Sequence, residues 1–267
     1  MTEITGTTRI YYMMAHPIDH VTTPEAMNPM FEARGIDAVM IPMHVHPDNL
    51  AQAWETFRYT RNLDGIVVSV PIKQRVLELC DEAHERAVQL GAANCVRRGR
   101  DGRMMGDNFD GAGFMAGMAK HGYGFKGERV LLAGAGGAGT ALAFAIAGEH
   151  PAAITLSDRD RSRAEALGAR VRSAYPECEV RVSDAPASPL GDSIAINATD
   201  SGLHEGDPLP LDAQALEAGT IVCDIIMKPR ETALLRIAGE RKCRLHHGRN
   251  MLDGQMELFW SFFGLPD

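Results

Sequence analysis

A chain of 267 residues, 45% hydrophobic and 23% charged, lies in the globular range, which excludes long disorder, collagen-like repeats and coiled coils, and its length suits two domains. The formal charge of −8, with no run of five or more Lys/Arg, repels phosphate backbones and anionic lipid, so neither nucleic acid nor a membrane is an expected partner. Cys80, Cys95, Cys178, Cys223 and Cys243 are scattered without a Cys-x-x-Cys pair and read as reduced thiols of a cytoplasmic protein.

Residues 1–30 carry Glu3, Arg9, Asp19 and Glu25 and no basic-then-apolar stretch with a cleavage site, so no signal peptide is expected. Residues 9–14 form the first apolar, strand-like run, and a helix over 24–34 follows. A strand over 38–43, a helix over 47–60, a strand over 65–70 and helices over 75–89 and 111–121 come next. Turn chemistry in Gly122-Tyr123-Gly124-Phe125-Lys126-Gly127 marks a crossing into a second domain. Strands there are expected over 130–133, 153–156, 193–196 and 220–224, with helices over 138–148, 161–174 and 231–240. Such alternation implies an α/β architecture with a parallel or mostly parallel sheet. A second crossing is expected near Arg241. The closing segment 250–263, with Met251, Leu258, Phe259, Phe262 and Phe263 at roughly helical spacing, then returns to the first domain. The division is thus 1–110 with 242–267 as one domain and 111–241 as the other. Residues 130–148 are uncharged throughout, but their glycines favour a buried strand, a tight turn and a helix packed on a sheet over a membrane span.

The apolar strand 130–133 runs directly into Gly134-Ala135-Gly136-Gly137-Ala138-Gly139 and then a helix-compatible run. In that context the glycines acquire distinct roles in binding a nicotinamide dinucleotide. Gly134 permits the sharp turn, Gly136 lets the backbone approach a pyrophosphate, and Gly139 lets the helix lie close to the strand. The next strand ends at Asp158, about twenty residues on, where a carboxylate can accept hydrogen bonds from both ribose hydroxyls. That favours NAD over NADP, although Arg159 and Arg161 follow and could hold a 2′-phosphate.

Several short motifs, in order along the chain, resemble those of the shikimate/quinate dehydrogenase family. They are Ala15-His16-Pro17-Ile18-Asp19-His20 followed by Thr23-Pro24, the stretch from Gly65 to Lys73 with its Val-Pro-x-Lys ending, and Gly91-Ala92-Ala93-Asn94. Gly106-Asp107-Asn108-Phe109-Asp110-Gly111-x-Gly113, Ile196-Asn197-Ala198-Thr199 and Gln255 continue the series. The resemblance implies an N-terminal α/β substrate domain and a C-terminal Rossmann domain. It makes Lys73 the catalytic lysine, Asp110 its carboxylate partner and Asn94 a substrate ligand, with Thr23, Ser69 and Gln255 also on the substrate and Asn197 and Thr199 on the cofactor side. The chemistry agrees, because oxidising a secondary alcohol sends a hydride to the nicotinamide while a positioned amine exchanges the hydroxyl proton.

Departures from the family pattern are concentrated around the substrate. Two serine-type hydroxyls usually hold the substrate carboxylate, and Val21 and Thr23 stand at those positions here. A lost hydrogen bond to a charged group costs about 1.5–3 kcal/mol. Val67 replaces an asparagine, Ser69 a threonine and Met227 a tyrosine, so the pocket reads as less polar than one built for shikimate. The leading expectation is NAD-linked oxidation or reduction of a cyclic polyhydroxy carboxylate by a monomer or homodimer. A dehydrogenase of the same fold with a less polar substrate, and a catalytically weak dinucleotide-binding sensor, are the alternatives. His44-x-His46 places two rings on one strand face without an evident third ligand, so no metal is expected. His246-His247 reads as surface.

Overall fold

The computed structural model describes residues 3–266. It divides into two compact units, one of residues 3–109 and 255–266, the other of residues 110–254.

The first unit opens with β1 (Arg9–Ala15), α1 (Thr23–Ala33), β2 (Ala38–His44), a 3-10 turn leading into α2 (Leu50–Tyr59) and β3 (Leu63–Val68). It continues through α3 (Lys73–Leu79), β4 (Glu82–Ala83), α4 (Glu85–Leu90), β5 (Cys95–Arg98) and β6 (Met104–Asp107). The sheet order is β2-β1-β3-β5-β6-β4. The first three strands are parallel, and β5 runs antiparallel to both β3 and β6. One face buries Trp54, Phe57, Leu63, Ile66, Val76 and Val96, with the Trp54 indole N–H donating to the Leu79 carbonyl at 3.0 Å. On the other, Tyr11 packs against Phe31 and Phe263 at centroid distances of 5.2 and 4.8 Å. A Cβ at Gly65 would fall within the Phe263 ring's contact radius, at 2.6 Å from its Cδ1, so glycine in β3 makes room for the closing helix α9 (Gly248–Phe263).

The second unit comprises α5 (Asp110–Lys120), β7 (Arg129–Ala133), α6 (Gly137–Ala147), β8 (Ala153–Ser157), α7 (Arg161–Ala174) and β9 (Val180–Ser183). β10 (Ile194–Asn197), β11 (Ile221–Asp224), α8 (Ala233–Glu240), β12 (Arg244–His246) and the first turns of α9 follow. Its six strands are all parallel, in the order β12-β11-β10-β7-β8-β9. Counted from β7, that is the doubly wound dinucleotide-binding order, whose topological switch point lies between β7 and β10.

Three expectations are corrected. The helix over 75–89 is two helices, because Asp81 accepts the Met104 N–H at 2.7 Å and β4 joins β6, which breaks the helical ladder at Cys80. The chain leaves the second unit after Gly254 rather than near Arg241. β12 pairs with β11, and a Cβ at Gly254 would lie 2.1 Å from the Gly113 carbonyl oxygen, so the start of α9 packs tightly on α5. Finally, His246 is 1% exposed rather than on the surface. Residues 130–148 form a strand, turn and helix, and no helix among the described residues is long and apolar enough to cross a membrane.

Candidate active site

In the first unit the expected substrate residues gather at the C-terminal ends of β1 and β3. The loop after β1 turns through a Val21 N–H to Ile18 carbonyl bond and delivers Thr23, buried, as the first residue of α1. Val21 is half-buried there. Ser69 is tied to β1 by its N–H on the Met14 carbonyl at 2.8 Å, and the neighbouring Val68 N–H donates to Asn94 at 2.8 Å. Lys73, half-buried, opens α3, and its carbonyl accepts the Ala93 N–H at 3.0 Å. Ser69, Lys73 and Asn94 are thus fixed to one another through main-chain bonds, which hold a site more firmly than loops do.

Asn94 is buried, and its side-chain oxygen accepts the Phe109 N–H at 2.8 Å. The Gln255 amide donates to the Phe109 carbonyl at 3.5 Å. The Gly-Asp-Asn-Phe-Asp-Gly motif is held by groups that sequence reasoning did not single out. Buried Asp107 receives a two-pronged contact from Arg86, at 2.7 Å and 3.1 Å, and the Asn108 N–H at 2.7 Å. The Asn108 side chain donates to the Ala92 carbonyl at 3.0 Å. The two family motifs that end in Asn94 and Asp110 are therefore stitched together, and Asp110, buried, leads α5 at the start of the second unit. Nothing in sequence spacing ties Arg86 to Asp107, since the pair forms only once β5 and β6 fold back.

Val67 is 4% exposed and belongs to the sheet. His16 joins the expected His44 and His46, with its Nδ1 2.9 Å from His44 Nε2 and its ring 4.7 Å from that of His46. No group of three or more side chains among the described residues could hold a metal ion.

In the second unit the glycine loop leaves β7 with its N–H at Gly134 on the Ser157 carbonyl, 2.7 Å. Gly134 has φ +107, and a Cβ there would meet the Ala198 carbonyl oxygen at 2.7 Å, so only glycine fits the switch point between β7 and β10. A Cβ at Gly139 would come 2.0 Å from the Gly134 carbonyl oxygen, which explains how α6 approaches the strand so closely. At Gly136 the nearest atom to such a Cβ is Arg163 at 3.5 Å, and at Gly137 there is none within 4 Å. That open backbone, at the N-terminus of α6 and followed by Ala138, is the cradle a pyrophosphate requires. Asp158 accepts the Ala135 N–H at 2.7 Å, placing a carboxylate at the loop. Arg159 pairs with Asp200 at 3.2 Å. Ser157, Asp158, Arg159 and Thr199 help line a cavity of about 590 Å³.

Asn197 is the last residue of β10. It is fully buried, and its amide donates to the Ser201 carbonyl and to Asp224, while its oxygen accepts the N–H and the hydroxyl of Thr199. Those four bonds exhaust the group's capacity. Its work is to shape the turn that presents Thr199. Burial raises the Asp224 carboxyl above its ordinary range, despite hydrogen bonds from Ile226, Thr232 and Asn197. Met227, half-buried, follows that strand end.

Residues 13–96 match the family model for the shikimate dehydrogenase substrate binding domain. A shikimate dehydrogenase (NADP(+)) of Rubrobacter xylanophilus is 34% identical over 251 residues, covering 93% of this chain and 88% of the relative. The chain belongs to the shikimate dehydrogenase family. A crystal structure of shikimate dehydrogenase in complex with NADP+ superposes with a TM-score of 0.92 at 27% identity, covering 98% of this chain and 92% of that one. The ligand-free 5-ketofructose reductase of a Gluconobacter strain is also similar, with a TM-score of 0.85 at 30% identity over 96% of this chain and 92% of that one. The family consists of oxidoreductases acting on CH–OH with NAD or NADP, and the N-terminal substrate domain and C-terminal Rossmann domain of its members are the two units described above.

Proposed function

We propose that the chain interconverts a secondary alcohol and a ketone on a cyclic polyhydroxy carboxylate of the shikimate or quinate type, with NAD preferred over NADP. The observation that carries the reading is the tie between Ser69, Lys73 and Asn94 at one end of the first sheet, beside the motif that delivers Asp110. The loop from Gly134 to Gly139 would hold the dinucleotide, which would supply the hydride chemistry. Lys73 exchanges the proton of the reacting hydroxyl, with Asp110 as its carboxylate partner in the mechanism, and Asn94 and Gln255 orient the ring. Asn197, through Thr199, keeps the turn after β10 in register with the glycine loop. The preference for NAD rests on Asp158, whose charge favours ribose hydroxyls and repels a 2′-phosphate, and on Arg159, which already pairs with Asp200. The curated relative above is named for NADP(+), so the cofactor assay discriminates sharply.

A second reading is favoured by Val21, which puts an apolar group where a hydroxyl would hold a carboxylate, and by Met227 in place of a tyrosine. A neutral polyhydroxy ketone would then be the substrate, in keeping with the similarity to 5-ketofructose reductase. Initial rates with shikimate, quinate and 5-ketofructose, each with NAD(H) and NADP(H), test both readings. Turnover of shikimate or quinate with NAD supports the first, and turnover of the neutral ketone alone replaces it with the second. No turnover of any of them, by protein that binds the dinucleotide, leaves the sensor.

A further inference from the structure

The first unit carries a concave site at the opposite end of its sheet from Ser69 and Lys73. It is a cavity of about 870 Å³ whose lining includes six arginines and two aspartates. It lies where β1 and β3 begin and where the hairpin from β5 to β6 turns. Asp64, on its wall, is five residues before Ser69, roughly 17 Å along the strand at about 3.3 Å per residue. The cavity is therefore separate from the substrate residues.

Its charge is not balanced internally. Arg9 pairs with Asp64, Arg58 with Asp81 and Arg103 with Glu82. Three guanidinium groups then remain, those of Arg61, Arg98 and Arg100, against the single carboxylate of Asp101. Arg98 is the informative one. It is 9% exposed, and its nitrogens donate only to the main-chain carbonyls of Arg58 and Gly99. Among the described residues no carboxylate lies within ion-pair distance of it. A buried cation without a counter-charge is costly unless something else supplies one. Arg61 and Arg100 are exposed, and their side chains form no hydrogen bond or ion pair among the described residues, although the Arg61 carbonyl accepts Arg9 at 2.9 Å. A chain of net charge −8 has thus concentrated unpaired arginines in one hollow, and arginine forks match phosphate oxygens bidentately.

The geometry points to this cavity as a binding site for a small phosphorylated molecule carrying at least two negative charges. Its volume exceeds that of the anion itself and admits an organic body, for which Tyr59, on the lining and 79% exposed, offers a flat ring.

Isothermal titration with inorganic pyrophosphate tests the site, using full-length protein saturated with its dinucleotide so that the glycine loop is filled. One saturable site per chain is expected, weakening as salt is raised. In the double variant Arg61→Ser/Arg100→Ser, the Kd should rise tenfold or more, while dehydrogenase turnover and dinucleotide affinity stay as in the parent. Both side chains are exposed, so folding is not at stake. Absence of saturable binding to the dinucleotide-loaded protein, or equal affinity in the double variant, would overturn the proposal.

Discussion

Lys73 stands at the first position of α3 with its carbonyl bonded to Ala93, so its backbone survives truncation of the side chain. Replacing it with alanine is expected to lower kcat a hundredfold or more, the usual range for removing an acid–base group, with the dinucleotide Kd unchanged. Stopped-flow rates and a cofactor titration check this, and unaltered turnover would take Lys73 out of the mechanism. Asp158 makes its own case on the cofactor side. Its carboxylate accepts the Ala135 N–H of the glycine loop. Asp158→Ala should weaken NAD about tenfold or more and NADP less, because a repulsion disappears together with a hydrogen bond. Equal losses for the two cofactors would remove the argument for NAD. At this scale the sequence was informative wherever a residue's role depends on its immediate neighbours. The sharp turn at Gly134 and the close approach at Gly139 were legible because strand, turn and helix are contiguous. The hydrogen bonding of Asn197 was not, because its three partners, Ser201, Thr199 and Asp224, include one on another strand. What such an asparagine holds together shows only once that strand is placed.

Elements show the same division between local and long-range causes. The parallel strands and α7 follow from apolar runs and helical spacing, and Arg161–Ala174 is where it was expected. The hairpin of β5 and β6 was invisible because Cys95-Val96-Arg97-Arg98 puts two arginines in a strand whose burial depends on Arg58 carbonyl contacts forty residues away. Equally, nothing in Cys80-Asp81-Glu82-Ala83-His84 announces a helix break without glycine or proline. The approach of α6 to β7 has a direct test. A methyl at Gly139 would sit 2.0 Å from the Gly134 oxygen, so Gly139→Ala should force the helix away, destabilise the protein by about 1–3 kcal/mol and abolish dinucleotide binding. Urea unfolding with a binding titration reads both effects. β12 supplies a pH effect. His246 is 1% exposed, packs edge-on against Phe114 and His121, and burial pushes its pKa from 6.5 down to about 4. With the folded value below the unfolded one, stability is fully present above about pH 6.5 and is lost as pH falls through 4, by about 3 kcal/mol at 1.36 kcal/mol per unit. His246→Leu should flatten that part of the pH profile of unfolding free energy, and an unchanged slope would assign it to other groups.

For the whole molecule, the consequence of two sheets with separate cores is that ligands should act on them unequally. The glycine loop, Asp158 and Thr199 all belong to residues 110–254, and a ligand that binds only the folded form stabilises what it touches by RT ln(1 + [L]/Kd), about 2.7 kcal/mol at a hundredfold excess over Kd. Dinucleotide alone should therefore slow amide exchange about a hundredfold in β7, α6, β8 and β10, where opening exposes the binding groups. Amides of β1, β3, β5 and β6 should change much less, since local opening there leaves the cofactor's partners in place. Hydrogen exchange read by mass spectrometry, with and without dinucleotide, separates the two sets of peptides. Equal slowing in both would mean that the units open only together, so that the cofactor's binding energy is felt by every strand of the substrate domain and a single unfolding free energy describes the chain.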